Sequence, residues 1–324
     1  MNLTGVVTVT PAPAIDWTVT VDSWQLGAVN VITDSVREAS GKGVNVAWAL
    51  HRAGVPVRAL LPAGGATATF VADELTRGGL PHTIVAIERD VRTNITLITP
   101  GDSTKINEPG AAIDPAEFDR VTDSLVENVR GADIVAFCGS LPAGLPTDAY
   151  ATLIRAARTA EPGLRVVLDS SGAPLAEALA AEPDLIKPNV HELAELTGRE
   201  LTTLGEVRDA AQAARDLGAG GVLASLGADG SMLVTGDATL IARSHDVPFV
   251  NSVGAGDALL AGFIAGGGIG EQALATASLW AASAVACPTT LFPVLHELED
   301  RIQVSELTEP GLRLTEPATP TPAH

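Results

Sequence analysis

Short apolar runs alternate with segments of helical period along most of the chain. The first run, 6–10, predicts a buried strand, and from residue 115 onward helices and short strands follow one another regularly. Such alternation is typical of a mainly parallel sheet with helices on both faces, because each parallel connection needs a crossover. The predicted helix and strand pairs are 117–129 with 134–137, 148–160 with 166–168, 175–181 with 185–187, and 206–217 with 222–225.

The part before residue 115 also contains strand patterns that no helix separates. They predict a small, mostly antiparallel sheet apart from the main body. We expect one domain over 1–308, with the strands of the small sheet at about 16–34 and 83–107, and a flexible Pro/Thr-rich tail over 309–324. The strands predicted for this sheet are 17–21, 29–33, 83–88, 95–99 and 104–107. One helix is predicted over 45–54, and another follows the glycine turn 64–65 and ends at residue 78.

Composition and charge exclude several classes of protein. Hydrophobic residues make up 46% of the chain, which is enough for a large core. The net charge of −19 argues against nucleic acid and anionic membranes as partners, since both need a basic face. Neither a targeting segment nor a bilayer-spanning run is recognisable, so we expect a cytoplasmic protein. The two cysteines lack metal or redox spacing and are expected to be buried and reduced.

The small-residue turn 253–257 (Val-Gly-Ala-Gly-Asp) lies between a strand-like run, 245–250, and a predicted helix that starts near Asp257. Backbone N–H groups of such a turn can converge on an anion at the helix N-terminus. A carboxylate beside that site repels the anion. Asp257 is therefore best explained as a base for an alcohol that attacks a bound phosphoryl group. The alternative is a glycine-rich helix start with an acidic first turn.

Other glycine-rich or polar segments follow predicted strands, at the edge where parallel sheets bind ligands. In Ser-Gly-Lys-Gly-Val-Asn (40–45), Lys42 offers a positive charge to a phosphate, although the segment is not a Walker P-loop and an ordinary glycine turn is the alternative. Asp16 can hold two hydroxyls of a sugar or serve as a turn residue. Arg92 offers a bidentate fork for phosphate or is an exposed strand end. Ser140 lies in a Gly/Pro loop, 139–144, at the same edge.

Two further segments admit a ligand-binding and a purely structural interpretation. Asn189 and Glu192, which follow Lys187 and Pro188, are spaced to present both side chains to a hydrated Mg²⁺, or to form a capping box at a helix start. The segment 225–230 (Ser-Leu-Gly-Ala-Asp-Gly) is a hairpin turn or, beside a nucleotide, a backbone clamp.

Taken together, these motifs resemble those of the PfkB (ribokinase-like) carbohydrate kinases, from the first strand to about Phe292. The resemblance is to the phosphosugar branch, which includes 1-phosphofructokinase, tagatose-6-phosphate kinase and the minor 6-phosphofructokinase. The resemblance to 1-phosphofructokinase rests on Lys42 and on segments 27–30, 92–94 and 107–110. The resemblance to the minor 6-phosphofructokinase rests on Ala12 and on segments 62–67 and 169–172.

The resemblance implies a ribokinase-like doubly wound α/β fold in which the small sheet is a lid over the sugar, and a homodimer that pairs through the lid. It implies transfer of the γ-phosphoryl group of ATP, with Mg²⁺, to a ketohexose phosphate, first of all fructose 1-phosphate. A 6-phosphofructokinase, a tagatose-6-phosphate kinase, a kinase of unphosphorylated sugars and a non-catalytic sugar-phosphate sensor stay open.

The implied site residues fall into four groups. Lys42 and Arg92 would hold the phosphate of the sugar, Asp16 and Asn45 would orient its hydroxyls, and Asp257 would accept the proton. The implied groups are the catalytic residues Asp257, Gly254, Ala255 and Gly256; the sugar-phosphate ligands Asp16, Gly41, Lys42, Asn45, Arg92 and Ser140; the ATP ligands Lys187, Asn189, Ser225, Gly227, Asp229, Gly230 and Val253; and Glu192, in the outer shell of Mg²⁺ through water.

Overall fold

The computed structural model of the protein describes residues 3–287 and 292–320. Within these ranges the strands form sheets of ten, four and two strands. The strands are β1 Val6–Val9, β2 Ala14–Thr20, β3 Asp34–Ser40, β4 Val57–Gly64, β5 His82–Ile87, β6 Arg92–Thr99, β7 Asp102–Asn107, β8 Ile134–Cys138, β9 Arg165–Asp169, β10 Leu185–Ile186, β11 Leu201–Thr203, β12 Val222–Ser225, β13 Ser231–Val234, β14 Thr239–Ser244, β15 Ile302–Glu306 and β16 Arg313–Ala318.

The helices lie mostly between consecutive strands of the large sheet. They are α1 Lys42–Arg52, α2 Thr67–Arg77, α3 Pro115–Asn128, α4 Ala149–Ala160, α5 Gly172–Ala178, α6 Val190–Thr197, α7 Leu204–Asp216, α8 Ala255–Ala265 and α9 Gly270–Val285. None of the helices in the described ranges is both long enough and apolar enough to span a bilayer.

The ten-stranded sheet has the order β15-β14-β13-β12-β10-β9-β8-β1-β4-β5. The strands from β5 to β12 run parallel to one another, and β13, β14 and β15 extend the sheet in antiparallel fashion. This confirms the predicted mainly parallel sheet.

Two apolar cores cover the two faces of the large sheet. In β1, Val6 packs into one core while Val7 and Val9 pack into the other, as the alternation of side chains along a strand requires. Helices α1, α2, α8 and α9 contribute to the first core, and α3 to α7 contribute to the second. The three-layer, doubly wound arrangement predicted from the sequence is therefore present.

The four-stranded sheet, which we call the lid, has the order β3-β2-β6-β7. Strand β2 pairs antiparallel to β3 and parallel to β6, and β7 pairs antiparallel to β6. A small cluster of Val19, Val21 and Leu97 forms its own core. The lid was predicted as a separate small sheet.

Two strand predictions for the lid are wrong. Residues 29–33 do not form a strand; the lid strand is β3, Asp34–Ser40, most of which is exposed and polar. Its pairing with β2, and not an apolar pattern, creates this strand. The predicted strand 83–88 corresponds to β5, which pairs with β4 at the edge of the large sheet and does not belong to the lid.

Two predictions for the second half of the chain are also wrong. The run 245–250 is not a strand, since β14 ends at Ser244. The tail predicted to be flexible over 309–324 contains β16, which pairs with β11 and buries Leu314 and Ala318. The last residues of that tail, 321–324, lie outside the described residues.

Candidate active site

Candidate site residues converge at the carboxyl edge of the large sheet, below the lid. Asp169 ends β9, Lys187 follows β10, and Ser225 ends β12. The N-termini of α1 and α8 reach the same edge, because a contact joins Asn45 of α1 to Asp257 of α8. Open parallel sheets bind ligands at this edge.

Helix α8 begins at Ala255, with Gly254 as its N-cap residue at φ 80°. This left-handed conformation favours glycine. Asp257 is in the first turn and is buried. A Cβ atom on Gly256 would lie 3.6 Å from Nζ of Lys187, so the ammonium group is directly below the turn. The Ala255 N–H donates to the Ser252 carbonyl at 3.3 Å, and the other N–H groups of this helix start, together with the adjacent cation, are suited to an anion.

A chain of hydrogen bonds joins Asp257 to the lid. Asn45 donates to Oδ2 of Asp257 at 2.8 Å, and the Ser40 hydroxyl lies 3.3 Å from Oδ1 of Asn45. The same hydroxyl donates to Oδ2 of Asp16 at 2.6 Å, and Asn94 donates to Oδ1 of Asp16 at 3.0 Å. Asp16, Asn45 and Asp257, three residues selected from sequence, thus belong to one network. Ser40 and Asn94 are additional members that sequence reasoning did not select.

The carboxylate of Asp257 is prepared for proton transfer. Burial raises its pKa to about 6, and the nearby negative charge of Asp169 acts in the same direction. The hydrogen bond from Asn45 and the charges of Lys42 and Lys187 oppose the rise. A carboxyl group with a pKa near the working pH is an effective general base.

Two lysines share the carboxylate of Asp169. Nζ of Lys42 lies 3.1 Å from Oδ1, and Nζ of Lys187 lies 3.4 Å from Oδ2. The Lys187 side chain is only 5% exposed, whereas that of Lys42 is 41% exposed and faces the cleft. Burial alone lowers the pKa of Lys42. The neighbouring carboxylates, chiefly that of Asp169, outweigh this effect and hold the pKa above its usual value.

Sequence reasoning placed Asp169 at the ligand edge of the sheet but assigned it no role in the site. The available signal was its position directly after a predicted strand, at the ligand edge. Its pairing with both lysines leaves a net positive charge beside Asp257 and the α8 turn.

Arg92 and Ser140 stand apart from this cluster. Arg92, at the start of β6, donates from Nη2 to the Ala12 carbonyl at 3.5 Å, and its buried Nε has no hydrogen-bond partner among the described residues. Ser140 is exposed in the loop after β8, and no hydrogen bond in the described part of the chain links it to the other site residues. Gly41, at φ 124°, is the N-cap residue of α1 and directs Lys42 into the first turn.

Asn189 and Glu192 form a capping box at the start of α6. The Asn189 side chain accepts from the Glu192 N–H at 2.8 Å, and the Glu192 carboxylate accepts from the Asn189 N–H at 2.9 Å. The backbone of Asn189 also forms an isolated parallel β-bridge with Ser225, at the end of β12. Of the two interpretations of this segment, the capping box is therefore the one that the structure shows.

The turn after β12 adopts the compact form that the sequence predicted. Strands β12 and β13 are antiparallel, and the turn between them contains Gly227 at φ 60° and Gly230 at φ 97°. The Asp229 carboxylate accepts two hydrogen bonds from Thr315, one on each oxygen. Val253 is partly exposed, and its N–H donates to Asn251.

Among the described residues, the acidic side chains do not form a closed metal site. No cluster of three or more His, Cys, Asp or Glu residues suited to a metal occurs in 3–287 or 292–320. However, buried Oδ2 of Asp169 accepts no hydrogen bond among these residues and has only the ion pair with Lys187 at 3.4 Å, and Glu192 is close enough to act electrostatically on Lys42. Such a donor set fits a Mg²⁺ ion that keeps its waters and binds chiefly through substrate phosphates.

A helix start suited to an anion, a buried carboxylate and two lysines are typical of the phosphoryl-transfer class of enzymes. Comparison with known proteins agrees with this class: residues 8–297 match the pfkB family carbohydrate kinases. The chain belongs to this family. It is therefore a phosphotransferase with an alcohol acceptor, and ATP is the phosphoryl donor that the family implies.

Relatives of known name support the same assignment. The chain is 42% identical over 279 residues to a 1-phosphofructokinase of Rhodobacter capsulatus, which covers 85% of this chain and 87% of the relative. It is 35% identical over 261 residues to a 1-phosphofructokinase of Bacillus subtilis, with coverage of 81% and 85%. The crystal structure of phosphofructokinase-2 from Escherichia coli with potassium has a TM-score of 0.83 and 29% identity, with coverage of 91% of this chain and 96% of that chain.

Proposed function

We propose that the protein transfers the γ-phosphoryl group of ATP to the free primary hydroxyl of fructose 1-phosphate, forming fructose 1,6-bisphosphate. The observation that carries the proposal is the buried Asp257, hydrogen-bonded to Asn45 at the α8 anion site and flanked by the Lys42–Asp169–Lys187 cluster. The similarity to two proteins named 1-phosphofructokinase supports fructose 1-phosphate as the first choice of acceptor.

On the acceptor side, the lid network orients the sugar. Asp16 is fixed by Ser40 and Asn94 and has the carboxylate geometry to accept from sugar hydroxyls. Arg92, whose buried Nε has no hydrogen-bond partner among the described residues, would turn its guanidinium to the phosphate that the sugar already carries, and the partly exposed Lys42 would add a second cation. Two cations in a sugar pocket favour a phosphorylated over a free sugar.

On the donor side, the nucleotide extends along the carboxyl edge. Its phosphates would meet the N–H groups of Gly254 and Gly256, with Lys187 below them, while the Ala255 N–H donates to the Ser252 carbonyl within the turn. Asn189, Ser225, Gly227 and Gly230 would line its path, together with Val253. Asp229 would act through the turn and not by contact, because Thr315 occupies both of its carboxylate oxygens.

The chemistry needs one proton transfer and strong charge neutralisation. Asp257 takes the proton of the attacking hydroxyl, while the helix start and the two lysines stabilise the charge on the transferring group. Asp169 and Glu192 are the candidates to hold, through water, a Mg²⁺ ion on the ATP phosphates, which would supply further neutralisation. The lid excludes water, which would compete as acceptor.

We also propose that two copies of the chain pair through the lid. The lid and its connecting loop expose several large apolar side chains: Leu26, Val29, Val31, Val36, Ile98 and Ile106. Monomeric proteins seldom leave such a group uncovered. Light scattering should give twice the mass of one chain, and a monomer at micromolar concentration would contradict the proposal.

The proposed function is tested by coupled measurement of ADP release with fructose 1-phosphate and with free fructose. We expect ADP and sugar bisphosphate in equal amounts with fructose 1-phosphate, and a much lower kcat/KM with free fructose. No ATP consumption with any sugar would favour a sugar-phosphate sensor. A preference for free fructose would contradict the roles of Lys42 and Arg92.

A further inference from the structure

The end of the chain returns to the carboxyl edge of the large sheet. We call residues 310–318 the C-terminal strap. Two backbone hydrogen bonds attach it to the first turn of α7: Leu204 N–H donates to Leu312 at 3.0 Å, and Gly205 N–H donates to Pro310 at 2.7 Å. These N–H groups have no partner inside their own helix, so the strap satisfies them.

Side chains of the strap anchor it as well. Strand β16 pairs with β11, and Leu314 and Ala318 are buried in the core below α3 to α7. The strap is therefore fixed to the main body at several points along its length.

From this anchored position the strap holds the turn 227–229. Thr315 donates two hydrogen bonds to Asp229, from its backbone N–H to Oδ2 and from its hydroxyl to Oδ1, each at 2.7 Å. A Cβ atom on Gly227 would lie 3.7 Å from Oε2 of Glu316, so the next strap residue also lies against the turn. Charge-assisted hydrogen bonds of this length are among the stronger ones in proteins.

The turn needs such support because of its composition. Gly227 and Gly230 both adopt positive φ, and glycine has the largest conformational freedom in the absence of external contacts. Within the turn, Leu226 N–H donates to Gly230 at 2.8 Å and Gly230 N–H donates to Gly227 at 3.2 Å. The two hydrogen bonds from Thr315 connect the turn to the strap.

We propose that Thr315 is a positioning residue for nucleotide binding, acting through Asp229 on the turn 227–229. The proposal rests on the proposed function in that ATP lies along Ser225 to Gly230. The family match ends at residue 297, so the strap that supports the turn lies outside the matched range.

The test compares Thr315→Val with Thr315→Ser, and uses Thr308→Val as the matched control. Valine keeps the shape but removes the hydroxyl donor, while serine keeps the donor. Thr308 is exposed before the strap and makes none of the described side-chain hydrogen bonds. Each variant is titrated with ADP and Mg²⁺ by calorimetry, and KM for ATP, KM for the sugar phosphate and kcat are measured.

For Thr315→Val we expect nucleotide affinity and KM for ATP to worsen by about three- to tenfold, the usual worth of one such hydrogen bond. KM for the sugar and kcat should change less than twofold, and Thr315→Ser and Thr308→Val should match the wild type. An unchanged ADP affinity in Thr315→Val would overturn the proposal, and so would equal losses for ATP and sugar. The calorimetry needs no sugar, so an error in the proposed acceptor would leave this result unaffected.

Discussion

Replacement of Asp257 by Asn should lower kcat by about 10²- to 10⁴-fold, the usual contribution of a general base. The amide keeps the size of the side chain and can still accept the hydrogen bond from Asn45, but it cannot take the proton of the attacking hydroxyl. KM for ATP should change little. Steady-state kinetics with saturating ATP and fructose 1-phosphate measures the effect, and Asp119→Asn, an exposed change on α3, is the matched control.

Two further observations separate loss of the base from loss of the fold. Because burial disfavours the charged carboxylate and raises its pKa to about 6, the folded protein carries an unfavourable charge above that pH. The Asn variant lacks this charge, so its thermal midpoint at pH 8 should equal or exceed that of the wild type. In the wild type, kcat/KM should fall below about pH 6 as Asp257 becomes protonated, and the residual activity of the variant should lack this fall. Near-normal turnover in the variant would remove Asp257 from its role.

Replacement of Lys42 by Met should raise KM for fructose 1-phosphate on the order of 10- to 100-fold, which is the range for loss of one charged hydrogen bond. Lys42 is the more exposed of the two lysines on Asp169, whereas Lys187 is buried below the α8 turn, where the proposed nucleotide phosphates would lie. KM for ATP should therefore rise much less, and KM for free fructose should barely change.

Lys105→Met provides the control for the loss of one lysine charge, because Lys105 is exposed on β7 of the lid. Its kinetics should resemble those of the wild type. Equal increases of KM for ATP and for the sugar phosphate in Lys42→Met would show that Lys42 serves the transferring phosphoryl group and not the phosphate on the sugar.

Sequence patterns predicted the parallel part of the large sheet well because most of its strands are buried on both faces. Strand β8 is a continuous apolar run, and the helices around it carry one apolar stripe each. The lid was harder, because most of β3 is exposed and its strand character comes from pairing with β2. The local pattern predicted β5 as a strand but did not show that it pairs with β4 in the large sheet and not with the lid. Strand β16 buries only Leu314 and Ala318, too weak a signal to distinguish it from a flexible tail.

The candidate site could be predicted where one short segment carries the geometry. The Gly-Ala-Gly-Asp turn needs its glycine at Gly254 and its acid in the first turn of α8, so local sequence was sufficient. Relations between distant segments could not be read in this way. The two lysines on Asp169 come from α1 and from the end of β10, and the bond from Thr315 to Asp229 joins residues 86 positions apart. The choice between capping box and metal ligand at Asn189 also needed atomic positions.

The most direct test of the account is the acceptor preference of the wild-type protein. In the coupled assay, kcat/KM is compared for fructose 1-phosphate, fructose 6-phosphate and tagatose 6-phosphate at saturating ATP and Mg²⁺. We predict a clearly higher kcat/KM for fructose 1-phosphate than for either 6-phosphate. A preference for a 6-phosphate sugar would contradict the proposed substrate and would mean that Ala12 and the segment 62–67 were the better indicators of the acceptor.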